Sequence, residues 1–156
     1  MPVHVTNEIG KLRKVMLHRP GEELEHLVPG ELERLLFDDI PYLKTAQQEH
    51  DVFAGILRDQ GTEVVYLEDL AAETLRIGPE IREDFIRQVI EEGGSLAMEY
   101  KNELFDLLNG IEDEKDLVLK TMAGVSTNEM KDATYRPLAD LVKSGGRFVL
   151  DPMPNL

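Results

Sequence analysis

A chain of 156 residues has the length of one ordinary domain, or of one domain carrying a modest insertion. Its 31 acidic residues against 17 basic ones give a net charge of −14, which sets the protein's own field against a nucleic acid or an anionic membrane surface as partner. No cysteine is present, so disulfides, cysteine zinc sites, CxxC redox pairs and a thiol nucleophile are excluded within these residues, while 42% hydrophobic residues suffice for a packed core.

The first 13 residues mix polar and apolar side chains and do not resemble a signal peptide. The longest apolar run, Val64-Val65-Tyr66-Leu67, is far shorter than a membrane span. A soluble, cytoplasmic chain is therefore expected.

In chain order, Lys14-Val15-Met16-Leu17 reads as a strand closed by the turn sequence His18-Arg19-Pro20-Gly21. Pro29 then predicts a short amphipathic helix running to Leu35. Phe37-Asp38-Asp39-Ile40-Pro41 interrupts it, because a residue before proline avoids helical backbone. A long helix is predicted over residues 42–60, with Leu43, Ala46, His50, Phe53, Ala54 and Leu57 on its packed face and Gly61 as its stop. Glu63-Val64-Val65-Tyr66-Leu67 has the composition of a strand buried on both faces. Strand, helix, strand is a right-handed crossover, so residues 14–67 should form a βαβ unit with parallel strands.

Beyond residue 67 the texture becomes acidic and helical. Residues 68–143 hold 18 acidic and 9 basic side chains and show almost no strand signal. Helical stripes run through Ile81, Phe85 and Val89, and through Leu96, Tyr100, Leu104 and Leu108, each closed by glycine at Gly93-Gly94 and Asn109-Gly110. Shorter helices are predicted over 113–123, over 128–134 with Ser126 and Glu129 spaced as a capping box, and over 137–143. Gly145-Gly146 ends this bundle of four or five helices. Arg147-Phe148-Val149-Leu150 reads as a third strand, and Asp151-Pro152-Met153-Pro154-Asn155-Leu156 as an extended segment held by two prolines.

Chemistry-bearing residues are few. The four histidines form no metal-ligand pair, and Glu49, His50 and Asp51 point about 100° apart on a helix, too far to converge on one ion. His50 is expected to pack with a satisfied ring nitrogen. His18, at the end of the first strand, is a better-placed candidate, although a turn histidine is more often structural. Asp38 and Asp39 offer paired carboxylates beside an aromatic, yet capping of the next helix is the simpler role. Asn155, behind a rigid proline, either presents its amide to a ligand or makes an Asn turn at a strand entrance; both readings stay open.

Five segments together resemble arginine deiminase: Leu17-His18-Arg19-Pro20-Gly21, Leu35-Leu36-Phe37-Asp38-Asp39-Ile40-Pro41-Tyr42, Glu49-His50-Asp51, Tyr66-Leu67-Glu68-Asp69-Leu70, and the final Asp151-Pro152-Met153-Pro154-Asn155-Leu156. The helical insertion separates the chain from agmatine deiminases and dimethylarginine hydrolases. The resemblance implies an α/β pentein fold, a five-bladed propeller, of which residues 1–67 and 146–156 would form a first, incomplete repeat and residues 68–145 an inserted helical domain. It also implies hydrolysis of L-arginine to L-citrulline and ammonia without a cofactor. In that family a cysteine attacks the guanidinium carbon, two acidic residues hold its nitrogens and a histidine moves protons. Leu36 matches a leucine lining the substrate pocket, and Asn155 an asparagine contacting the amino-acid end of arginine.

The family pattern continues beyond Pro-Asn-Leu into Phe-Thr-Arg-Asp, the first catalytic acid, which these 156 residues do not reach. The expectation is thus the N-terminal part of an arginine deiminase, with no catalytic residue and no activity of its own. Its expected partners are L-arginine, the remainder of the polypeptide or a companion chain, and a second copy through unpaired strand edges. The competing reading is a non-enzymatic, acidic helical interaction module derived from a pentein segment.

Overall fold

In the computed structural model, which describes residues 5–33, 37–130 and 148–154, the predicted first strand is β1, Lys14–Leu17. It lies parallel to β2, Glu63–Tyr66, with Lys14 opposite Glu63 and Leu17 opposite Tyr66. The connection carries a four-residue helix α1, Glu22–Glu25, then a 3-10 turn at Pro29–Glu31, then the long helix α2, Leu43–Asp59. The expected βαβ unit is present. The helix predicted from Pro29 is only that single turn over the described residues, and α1, which the sequence pattern did not announce, precedes it.

Helix α2 stops where glycine was expected to stop it. Gly61 takes φ +79°, Thr62 N–H donates to the Leu57 carbonyl at 3.0 Å and Gly61 N–H to the Arg58 carbonyl at 2.9 Å, which is a Schellman closure. The inward face is Leu43, Ala46, His50, Ala54 and Leu57, with Ala54 fully buried. Phe53 is a correction: it is 52% exposed, and it shares an uncovered flank with Tyr42, Val52 and Ile56. It sits about 60° off the axis of the packed face, so periodicity alone could count it as inside.

Strand β2 is not buried on both faces. Glu63 is exposed and Val64, Val65 and Tyr66 are only partly buried, while on the neighbouring β1 Met16 is 55% exposed and Lys14 pairs with Glu63 across the open face at 2.8 Å.

Among the described residues five helices follow: α3 Leu67–Leu75, α4 Pro79–Glu92, α5 Gly94–Glu99, α6 Lys101–Asn109 and α7 Glu114–Ala123. The second predicted stripe is split at Tyr100 between α5 and α6, and Leu104 and Leu108 are fully buried. On α4 the deepest residues are Ile86 and Ile90, with Ile81, Phe85 and Val89 packed against the same core as its flank. Asp113 caps α7, its carboxylate accepting from Lys115 N–H at 2.8 Å and Asp116 N–H at 3.1 Å. The Ser126–Glu129 capping box is present, opening a 3-10 turn at Thr127–Glu129.

One strand was missed. Val125–Ser126 forms β3, which pairs antiparallel with β4, Phe148–Leu150, and this two-stranded sheet is separate from β1–β2. The core therefore combines Leu75, Ile86, Leu104, Leu117 and Val118 of the helices with Val125, Val149 and Leu150 of this sheet. Each fully buried leucine contributes on the order of 2 kcal/mol by removal from water. The predicted helix over 137–143, most of that over 128–134, Gly145-Gly146 and Arg147 lie outside the described residues.

Candidate functional site

Parallel strands bring their carboxyl ends together, and in α/β units ligands and reactive groups collect there. His18 is the first residue after β1, and Glu68 stands in the first turn of α3 directly after β2. The His18 ring lies between two carboxylates: Nδ1 is 3.1 Å from Glu68 Oε2 and Nε2 is 3.1 Å from Glu23 Oε1. All three side chains are buried, 5% exposed for His18, 4% for Glu23 and 7% for Glu68. Gly21 N–H also donates to Glu23 Oε1, turning the carboxylate back onto the β1–α1 loop.

The electrostatics follow from this packing. Hydrogen bonding to Glu23 is the largest influence on His18 and, with Glu68, holds its pKa above the ordinary 6.5 against the opposing effect of burial. Burial pushes the Glu23 carboxyl up, but the bonds from His18 and the Gly21 backbone outweigh it and leave the group below its ordinary value.

Around the trio the loop is further fastened. Arg19 makes a two-pronged pair with Asp51, Nε to Oδ1 at 2.8 Å and a terminal nitrogen to Oδ2 at 2.9 Å, and Gln47 donates to the Pro20 carbonyl at 2.9 Å. This pair shows the divergence expected along Glu49-His50-Asp51, since Asp51 reaches out to Arg19 while His50 turns in beneath Tyr66, ring centroids 5.9 Å apart. The satisfied ring nitrogen expected of His50 is not found: Nε2 is buried with no hydrogen-bond partner among the described residues, and burial lowers the pKa of the ring.

Asp38 and Asp39 are exposed, and neither caps α2, whose N-cap is Tyr42 with no side-chain hydrogen bond; Asp39 instead accepts from Ile40 N–H at 2.8 Å. No group of three or more acidic, histidine or cysteine side chains suited to a metal ion occurs among the described residues. Leu36 and Asn155 lie outside the described residues. Their described neighbours are tied down: Phe37 N–H donates to the Leu32 carbonyl at 2.9 Å, and Met153 N–H to the Met122 carbonyl at 2.8 Å.

The family model for arginine deiminase matches residues 33–156 of this chain. The chain belongs to the arginine deiminase family. It is 54% identical to the arginine deiminase of Treponema denticola and 55% identical to those of Streptococcus pyogenes and Streptococcus equi subsp. zooepidemicus. In each comparison 99% of this chain is covered, and it spans 38% of the relative's own length. For this deiminase-family chain the trio of His18, Glu23 and Glu68 was only half visible in sequence. His18 stood out at a strand end, whereas the two glutamates looked like two more charges in an acidic protein. The available signal was position: one glutamate 5 residues beyond the histidine and another directly after the second parallel strand. No helix among the described residues is long and apolar enough to cross a membrane.

Proposed function

We propose that this chain is the N-terminal part of an arginine deiminase, and that the complete protein hydrolyses L-arginine to L-citrulline and ammonia in the cytoplasm without a cofactor. The observation carrying this reading is 54–55% identity to arginine deiminases across 99% of the chain. A guanidinium is a delocalised cation and a poor electrophile until carboxylates fix it and a nucleophile is set against its carbon. With no cysteine in these residues, the nucleophile belongs to the remainder of the polypeptide or a companion chain.

In this reading residues 1–67 and 146–156 form an incomplete first pentein repeat, residues 68–145 an inserted helical domain, and the chain walls the arginine pocket. Leu36 lines the pocket and the Asn155 amide contacts the amino-acid end of the substrate. Support for a covering partner comes from the open β1–β2 face at Met16 and the uncovered flank of α2 at Tyr42, Val52, Phe53 and Ile56. Self-association through unpaired strand edges would give the two-stranded sheets a further partner.

A citrulline assay tests this directly. The pure chain should release none from L-arginine, and activity should appear only when the remaining polypeptide is supplied. Turnover by the chain alone, or none from the complete protein, would overturn the assignment.

A further inference from the structure

The buried trio at the strand ends has a proton requirement that its geometry makes explicit. Each ring nitrogen of His18 faces a carboxylate oxygen at 3.1 Å, but a neutral imidazole carries only one N–H. Both contacts are hydrogen bonds only if the trio holds one proton more than a neutral ring and two carboxylates would carry. Glu23 already accepts from the Gly21 backbone, which suits its ionised form, so the extra proton is best placed on the ring.

We propose that His18, Glu23 and Glu68 form a proton-operated latch, which holds the β1–α1 loop against the start of α3 and loosens the α1 segment when the trio loses its proton. With the imidazolium in place, one buried cation bridges two elements that have no covalent reason to stay together. Without it, one ring nitrogen becomes a lone pair aimed at a carboxylate, and the two buried carboxyl groups lose the cation held between them.

Among the described residues no neighbouring group can take over, although the charge of Lys115 on α7 also bears on Glu68. On the loop itself Arg19 is committed to Asp51 of α2, and on α3 Asp69 is committed to Lys115 of α7 at 2.6 Å. His50 of α2, the other ionisable ring near the trio, is held neutral by burial, and Tyr66 at the end of β2 brings no positive charge. Because the His18 pKa is raised on folding, the stabilisation is complete below the unfolded value near 6.5 and is lost as pH climbs through the folded value. What loosens is specific: residues 19–27, which hold α1 and lead into the Pro29–Glu31 turn, open more often, while the Arg19–Asp51 pair and the His26–Ala123 bond still tether the two ends of the segment.

The test is made on the full-length protein. Histidine-selective ¹⁵N labelling should show both His18 nitrogens protonated at pH 6.5, with deprotonation only above that ordinary value. Hydrogen exchange followed by mass spectrometry, corrected for intrinsic rates, should show protection of residues 19–27 falling about tenfold across the same transition, while Leu104 and Leu108 of α6 keep theirs. Glu68→Gln should move the transition to lower pH. A His18 ring already carrying a single proton at pH 6.5, an unshifted transition in Glu68→Gln, or a transition that leaves 19–27 equally protected would each overturn the latch. Signals are assigned by their loss in His18→Gln. Should either variant fail to fold, the exchange profile of the unmodified protein decides alone: a step confined to residues 19–27 supports the latch, and a flat or uniform profile refutes it.

Discussion

His26 donates its Nδ1–H to the backbone carbonyl of Ala123, 97 residues further along the chain. The same ring rests on Phe148 at 5.2 Å between centroids. One side chain at the end of α1 thus touches the end of α7 and the first residue of β4, binding the βαβ part of the molecule to the helices and their small sheet. Leu24 and Leu27, close to it in the chain, are both buried.

His26→Ala should therefore destabilise the protein although the residue has no part in the proposed chemistry. It leaves the carbonyl of buried Ala123 without its donor and removes the ring from Phe148, a loss of about 1–3 kcal/mol. Urea unfolding of wild type and variant gives the difference. Equal midpoints would show that the junction contributes nothing.

Gly124, which follows α7, adopts φ +80° and ψ 174°, backbone that is essentially reserved for glycine. A methyl group there would lie 2.6 Å from the Leu150 carbonyl oxygen and 2.8 Å from the Pro152 nitrogen, both backbone atoms unable to swing aside. Gly124→Ala should cost about 3 kcal/mol or more, from conformational strain and forced separation of β4 from the end of α7. Thermal and urea unfolding both report on this. A loss under about 1 kcal/mol would mean that β4 yields at little cost.

Comparison of pattern with fold shows which signals survive in a single sequence. The βαβ unit was legible because Pro20-Gly21 and Gly61 punctuate it and α2 repeats its apolar face for four turns. Strand β3 was not, since two residues carry no alternation; Val125 becomes strand only because Leu150 lies opposite. On α4 two adjacent apolar rows exist, Ile81-Phe85-Val89 and Ile86-Ile90, and only the placement of α5 and α6 decides which goes deeper. Phe53 was misjudged for the opposite reason: it is apolar and borders the packed face, yet it stays 52% exposed. The site was least legible. Glu68 lies 50 residues from His18, and no local rule separates a glutamate destined for a buried ring from the many that stay solvated.

The cap on α7 yields a prediction with a pH signature. Asp113 receives two backbone N–H groups and also faces Arg76 at 3.2 Å. The bond from Asp116 N–H is the largest influence holding its carboxyl below the ordinary value. A carboxyl lowered on folding stabilises the protein above the unfolded value of 3.8, and that contribution fades as pH falls through the folded value. Asp113→Ala should lower the unfolding midpoint at neutral pH, and Asp113→Asn should recover most of the loss, because the amide oxygen still caps. The gap between wild type and Asp113→Asn should close in acid. Three identical midpoints at neutral pH would remove the cap from the account of α7.

The proposed pocket role of Asn155 can be separated from any structural role by the way the kinetics change. If its amide bonds the amino-acid end of L-arginine, Asn155→Ala in the complete enzyme removes a hydrogen bond to a charged group and should lower kcat/KM by about 1–3 kcal/mol. The end it contacts is remote from the guanidinium, so loss of uniform binding predicts that most of the change falls on KM and that kcat is largely retained. If Leu36 lines the pocket as proposed, Leu36→Ala should act in the same sense. Steady-state measurements at several arginine concentrations distinguish the cases. An unchanged kcat/KM in Asn155→Ala would detach this residue from the substrate, whereas a fall in kcat with KM unaltered would move its contribution from holding arginine to the reacting centre.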